Sequence, residues 1–224
     1  MGTHPRRADR EGLKQNMTNT KIRFHKGDLP DLSRYDVEAV AIDTETLGLN
    51  PHRDRLCVVQ LSPGDGTADV VQIAPGQKRA PNLVSLLKNR KVTKLFHFGR
   101  FDIAVLYHAF GAMAEPVFCT KIASRLTRTY TDRHGLKDIC GELLGVTISK
   151  QQQSSDWAAE TLSPEQLEYA ASDVLYLHRL REVLAGRLAR EGRAREAEAC
   201  FRFLPTRARL DLMGWAEEDI FAHS

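Results

Sequence analysis

The run Ala39-Val40-Ala41-Ile42-Asp43-Thr44-Glu45-Thr46 constrains this chain more than any other stretch. Four small or branched apolar residues in a row read as a strand buried on both faces, which needs covering layers on either side. The strand then ends in two carboxylates. Successive strand side chains point to opposite faces, so Asp43 and Glu45 emerge together on one of them. Two such neighbours repel each other and lose hydration where the strand is buried. A divalent cation removes both penalties. Asp102 and Asp173 add two more well-placed acids. Four carboxylates without a Cys/His cluster describe a site for a hard, oxygen-preferring ion such as Mg²⁺ or Mn²⁺.

The rest of the chain supplies the covering layers. Ala39–Asp43, Leu56–Leu61, Asp69–Ile73 and Leu95–Phe98 are short, apolar strand candidates. Turn residues Gly48-Leu49-Asn50-Pro51 and Pro63-Gly64-Asp65-Gly66 separate them, so Arg55–Ala74 reads as a hairpin joined to the first strand. Asn82–Lys88 reads as a short helix behind Pro81. From Phe101 the period turns helical: Phe101, Ala104, Val105 and His108 share a face, and Leu136, Ile139, Cys140 and Leu143 repeat it before a stop at Gly145. Ser163-Pro164-Glu165-Gln166 opens the clearest helix, with Ser163 as N-cap, Pro164 at N1 and Gln166 closing a capping box. Its apolar positions continue to about Glu191. Strands first, then helices, predict an α/β domain with a mixed sheet.

A chain of 224 residues, 42% apolar and 27% charged, forms one domain with a sizeable core. A net charge of +3 excludes a protein that coats long duplexes by charge alone. Cys57, Cys119, Cys140 and Cys200 form no CxxC pair, which argues against a zinc site or disulfide framework and for reduced thiols in a cytoplasmic protein. No apolar run approaches the roughly 18 residues of a membrane span, and no signal-peptide core is present. Residues 1–16 carry Arg6, Arg7, Arg10 and Lys14 with almost nothing to bury. They read as a disordered N-terminal extension or a nucleic-acid-binding arm, leaving 17–224 as the folded domain.

Alone, Asp102 reads as a dipole-complementing acid in a first helical turn. Tyr169 and Asp173, four residues apart on the predicted helix, share a face beside the small residues Ala170, Ala171 and Ser172. Alone they read as a half-buried tyrosine with a neighbouring surface acid.

Together these pieces resemble the DEDD 3′→5′ exonucleases. Asp43-Thr44-Glu45 is similar to the family's first motif, Phe101-Asp102 to its second, and Tyr169-Ala170-Ala171-Ser172-Asp173 to its third. The tyrosine four residues before the last acid, with Glu168 where the other branch carries histidine, matches the ribonuclease D-like branch. Gly135-Leu136-Lys137 and Ser154-Ser155-Asp156-Trp157 also resemble ribonuclease D segments. From Lys21 to the C-terminus the chain is similar to the short nanoRNase C-like members, including His52–Leu56, Thr129–Gly135 and Asp219–Ser224. About 33 residues follow Glu191, too few for the helical HRDC modules of full ribonuclease D.

The resemblance implies a ribonuclease H-like, DnaQ-like exonuclease fold, with a mixed central sheet flanked by helices. It implies two Mg²⁺ (or Mn²⁺) ions, Asp43 bridging both, Glu45 and Asp173 completing one site, and Asp102 supporting the second. Tyr169 would orient the attacking water. The implied substrates are dinucleotides and very short RNA cut to 5′-mononucleotides; the alternative is trimming of longer RNA or DNA. A homo-oligomer follows as well, an octameric ring in nanoRNase C-like enzymes.

Substrate contacts leave alternatives open. Thr46 and Leu47 follow the acids, and Leu47 either wedges against terminal bases or packs under its loop. His97 either touches the 3′-terminal sugar or is structural. Trp157 stacks near the site or packs in the core, and Gln151, Gln152 and Gln153 add amides nearby. Arg125, Arg128, Arg133 and His134 either hold a 5′ phosphate or form a solvated charged surface. Phe201, Phe203, Leu204, Leu210, Leu212, Met213, Trp215 and Phe221 are more large apolar residues than one terminus needs, so part of them suits a subunit contact.

Overall fold

Ala39–Thr46 is the longest strand of a six-stranded sheet in the computed structural model, which describes residues 21–149 and 151–223. The expected extension 1–16 lies outside the described residues. The strands are β1 (Ile22–Lys26), β2 (Ala39–Thr46), β3 (Leu56–Ser62), β4 (Ala68–Gln72), β5 (Thr93–Phe96) and β6 (Val117–Cys119). Their spatial order is β1-β4-β3-β2-β5-β6. β2 pairs antiparallel with β3 and parallel with β5, β3 runs antiparallel to β4, and β1 and β6 join parallel at the edges. This is the mixed sheet that the strand-then-helix order predicts. β3 is buried along its whole length, and Val40, Ala41 and Ile42 of β2 are fully enclosed.

Two strands and a helix depart from the expectation. β1 alternates Ile22 and Phe24 with Arg23 and His25, but it is only five residues long and leaves Phe24 exposed, so its apolar pattern is short and weak. It is held instead by charge: Arg23 grips Asp69 of β4 with two hydrogen bonds of 2.7 and 2.8 Å, and His25 lies 2.7 Å from the same carboxylate. The buried Tyr35 hydroxyl donates to it as well. These donors outweigh the cost of burial and hold the Asp69 carboxyl down at about 2. β6 is only three residues long, and α3 (Thr120–Thr127) follows it without a loop, so no turn residue marks either.

The remaining helices are α1 (Pro81–Lys88), α2 (Gly99–Phe110), α4 (Leu136–Leu144), α5 (Pro164–Leu175), α6 (Leu177–Arg190) and α7 (Ala194–Leu210). The capping box at Ser163 forms: its hydroxyl accepts from the Gln166 amide, and its own amide donates to Gln166 Oε1 at 2.9 Å. Gly145 ends α4 at a φ of 67°, a conformation open to glycine at no steric cost. The single helix expected from Ser163 to Glu191 is two, broken at Tyr176. α5 lies across β3, β2 and β4, whereas α6 turns to pack against α3, burying Leu177, Leu180, Leu184 and Leu188. No Gly or Pro signals the break, because only the direction of the packing surface requires it.

α7 lies along α2 and β6, and Phe201 and Leu204 finish the core. Met213, Trp215, Ile220 and Phe221 stay exposed. The four cysteines are unpaired. Among the described residues no helix is long and apolar enough to cross a membrane.

Candidate active site

The site assembles at the carboxyl end of β2. Side-chain alternation sends Asp43 and Glu45 to one face, and the ladder with β3 shifts register between Glu45 and Thr46, ending regular pairing there. Asp43 sits opposite Gln60 of β3, whose Nε2 donates to Asp43 Oδ2 at 3.1 Å. α5 brings Asp173 to the same place. Buried Ala170, Ala171 and Ser172 let this helix approach the sheet closely. One ligand oxygen from each of Asp43, Glu45 and Asp173 falls within 4.8 Å of the others.

Asp102 enters differently. Gly99 opens α2 against Phe96, where a Cβ would come within 2.6 Å of the Phe96 Cβ. This close start places Asp102 in the first turn, buried. Thr44, on the opposite pleat face from Asp43 and Glu45, donates through Oγ1 to Asp102 Oδ1 at 2.7 Å. Asp102 therefore stands beside the three-acid group, within electrostatic reach of Asp43, and not inside it.

Burial drives the carboxyls of Asp43, Glu45 and Asp102 upward. Asp43 is raised well above its ordinary range by burial, then by the charges of Asp102, Asp173 and Glu45, with the Gln60 amide opposing. Glu45 is raised by burial and by Asp173 and Asp102. Asp102 is raised by burial, which its bond from Thr44 only partly offsets. A carboxylate group in this state needs protons or a cation. The donors are all oxygens, and no Cys or His joins the group among the described residues, so a hard divalent cation of the Mg²⁺ or Mn²⁺ class fits it.

Asp43, Glu45 and Asp173 line a cleft of about 300 Å³ together with Thr44, His97, Phe98, Lys121, Lys137 and Tyr169. A second cavity of about 710 Å³ adjoins it, sharing Lys137, Ile148, Ser149 and Tyr169. Tyr169 is half-buried, and its phenol is pushed up by burial and by the charges of Asp173, Glu45 and Asp43. It is a neutral hydroxyl at physiological pH. His97 hydrogen-bonds Thr120 Oγ1 at 2.9 Å through Nδ1, and burial and Lys121 pull it down to about 3. It too is neutral.

Other expected contacts fall elsewhere. Trp157 is buried among Cys57, Val58, Val70 and Leu162, with its ring centroid 6.0 Å from that of Tyr169. It packs behind the tyrosine and is closed to a stacking base. Leu47 is 53% exposed, so it does not pack under its loop. Thr46 donates to Gly48 O at 2.5 Å. Arg128 is no phosphate ligand, because its guanidinium is buried and fully engaged. It bonds both Glu142 oxygens, Ser124 Oγ and Arg133 O, which ties the 128–134 segment to α4. His134 Nδ1 lies 2.9 Å from Ser124 Oγ. Arg125 and Arg133 are exposed, outside the cleft lining. Sequence reasoning missed Phe98, Lys121 and Lys137 as cleft residues. Lys121 had no signal, since it follows a strand that has no pattern of its own.

Residues 31–189 match the 3′-5′ exonuclease family. The chain belongs to that family. Within it the chain is a ribonuclease D-like, NrnC-type exonuclease. It is 76% identical to Brucella melitensis NrnC solved with bound Mg²⁺, covering 92% of this chain and 100% of that one with a TM-score of 0.89. It is 77% identical to the same Brucella protein bound to pGG, with a TM-score of 0.90 over 92% and 100% of the two chains. A ribonuclease D of Acidiphilium cryptum is 39% identical over 154 residues, 69% of this chain and 39% of that protein. The exonuclease thus spans about two fifths of that curated relative's length. Escherichia coli RNase D shares the fold at a TM-score of 0.70 and 26% identity, over 79% of this chain and 46% of that one.

Proposed function

We propose that this chain is a metal-dependent 3′→5′ exoribonuclease that cuts dinucleotides and other very short RNAs to 5′-mononucleotides. The observation that carries this reading is the convergence of Asp43, Glu45 and Asp173 within 4.8 Å, in a cleft also lined by Tyr169. The NrnC relatives solved with Mg²⁺ and with pGG support it.

Asp43, Glu45 and Asp173 would hold two divalent cations, with Asp102 supporting the second. When bound, ions of this class neutralise the scissile phosphate and make water a stronger nucleophile near neutral pH. The chain's own residues do the positioning. Tyr169 keeps its proton and orients the attacking water by hydrogen bonding, because a raised phenol is a poor base. Gln60 fixes the Asp43 carboxylate and Thr44 that of Asp102. Lys121 and Lys137 line the same cleft as the acids and would meet phosphate charge. His97 would meet the terminal sugar as a neutral hydrogen-bonding group. A cleft of about 300 Å³ is at the low end for small-ligand sites, which suits a short substrate.

The test is release of mononucleotide from a 5′-phosphorylated dinucleotide with Mg²⁺ or with chelator, beside a seven-nucleotide RNA at equal concentration. Metal-dependent release, faster on the dinucleotide and abolished by Asp43→Ala, is expected. Release by the variant at the wild-type rate would sink the assignment. The ribonuclease D relatives favour a second reading, trimming of longer RNA or DNA; equal or faster digestion of the seven-mer would establish it.

The exposed Met213, Trp215, Ile220 and Phe221 support a homo-oligomer, with the octameric ring of nanoRNase C-like enzymes as its form. Light scattering of the purified chain reads the subunit number.

A further inference from the structure

The cleft contains an aromatic side chain that metal binding and water orientation leave unused. Phe98 is the one non-glycine residue with a positive φ among the described residues, at φ 68° and ψ 38°. Left-handed backbone is costly for a bulky side chain and cheap for Gly or Asn. Burial would explain keeping phenylalanine there, but Phe98 is 48% exposed. The next residue, Gly99, runs so close to Phe96 that a Cβ there would fall 2.6 Å from the Phe96 Cβ, so the chain is tightly packed at this turn. Strain of this kind, held in place by its surroundings, points to a use for the side chain.

The ring's neighbour shows what that use is. Lys121 Nζ lies 4.4 Å from the Phe98 ring centroid, and both residues line the cleft that holds Asp43, Glu45 and Asp173. A nucleotide carries a flat π-face and an anionic phosphate a few ångströms apart. The Phe98 ring and the Lys121 ammonium present complements to both.

We propose that the face of the Phe98 ring turned away from Lys121 is a stacking platform for a nucleobase of the bound substrate, with the Lys121 ammonium over the opposite face meeting the phosphate charge. The proposal rests on the nuclease reading above and adds a base-sensing contact to it. Stacking tolerates any base, since every base has a π-face, so the contact favours nucleotides over other phosphodiesters without selecting a sequence.

Phe98→Asn and Phe98→Gly test it, because both residues accept the left-handed turn. With a 5′-phosphorylated dinucleotide, KM rises roughly 5- to 150-fold, the range that stacking of one base spans. The kcat stays near wild type, and the melting temperature is unchanged or higher. The contact is also read without turnover, by calorimetric titration with a dinucleotide whose scissile oxygen is replaced by methylene. Both variants weaken binding of this analogue by the same factor. They bind a matching analogue as well as wild type does when the stacked base is replaced by an abasic sugar. Unchanged affinity for the base-bearing analogue, or equal loss on every abasic analogue, overturns the proposal. A wild-type chain that binds the analogue but releases no mononucleotide would overturn the nuclease reading alone.

Discussion

Thr44 Oγ1 donates to Asp102 Oδ1 at 2.7 Å, joining β2 to α2 across 58 residues of sequence. The bond orients the Asp102 carboxylate, and it comes from the strand face opposite Asp43 and Glu45. Thr44→Val keeps the shape and removes the donor. Loss of a partner that orients an acid at a metal site costs about 10–100-fold in metal affinity or activity. We expect a loss of that size, partly recovered at higher Mg²⁺. Rate against Mg²⁺ concentration checks it, and an unchanged metal dependence would remove Thr44 from the site.

The raised carboxyls make a prediction for the metal-free protein. Asp43, Glu45 and Asp102 all bind protons more tightly folded than unfolded. Stability therefore falls as pH climbs from the ordinary carboxylate range, about 4, into the raised range. Asp43→Asn removes one repelling charge. In chelator at pH 8 it melts higher than wild type, by about 2–4 °C for each kcal/mol of repulsion relieved. Mg²⁺ reverses the order by stabilising the wild type alone. Scanning calorimetry with and without metal reads both effects.

Tyr169→Phe separates orientation from proton transfer. Removing a positioned hydroxyl lowers kcat by about 10²-fold. KM changes little, since Trp157 behind the ring keeps the Phe side chain in place. The pH–rate profile keeps its shape, because a phenol raised by burial does not titrate in the working range. A profile that loses its rising, acid-side limb would make Tyr169 a base.

Arg128→Ala is expected to act through stability. The guanidinium is buried, at 1% side-chain exposure, but its partner Glu142 is 39% exposed, so solvent weakens the pair. We expect about 2 kcal/mol, below the 3–5 kcal/mol of a fully buried pair, and a melting point lower by about 4–8 °C. A raised KM at an unchanged melting point would restore Arg128 as a phosphate contact.

How much of this was legible in the sequence depended on how locally each feature is encoded. Asp43 and Glu45 share a face because alternation along a strand is a property of the backbone. Ser163 and Gln166 cap α5 because four consecutive residues suffice to close the box. Gly145 ends α4 for the same local reason. β1 was invisible, because its anchor is Asp69, 46 residues from Arg23. The break at Tyr176 was equally invisible, since the apolar period runs on through it. Trp157 and Leu47 show the same limit: both are apolar, yet one is enclosed and the other open to solvent.

The order of residues alone determined the chemistry available: oxygen donors on a strand end, a tyrosine one helical turn before an aspartate, and no clustered Cys and His to take a soft metal. Only the tertiary structure decided which of those groups meet. It drew Asp173 into the Asp43–Glu45 pair, set Asp102 beside them through Thr44, and withdrew Arg128 into a structural ion pair. Charges act through space and burial, and both are set by packing between elements that the chain keeps far apart.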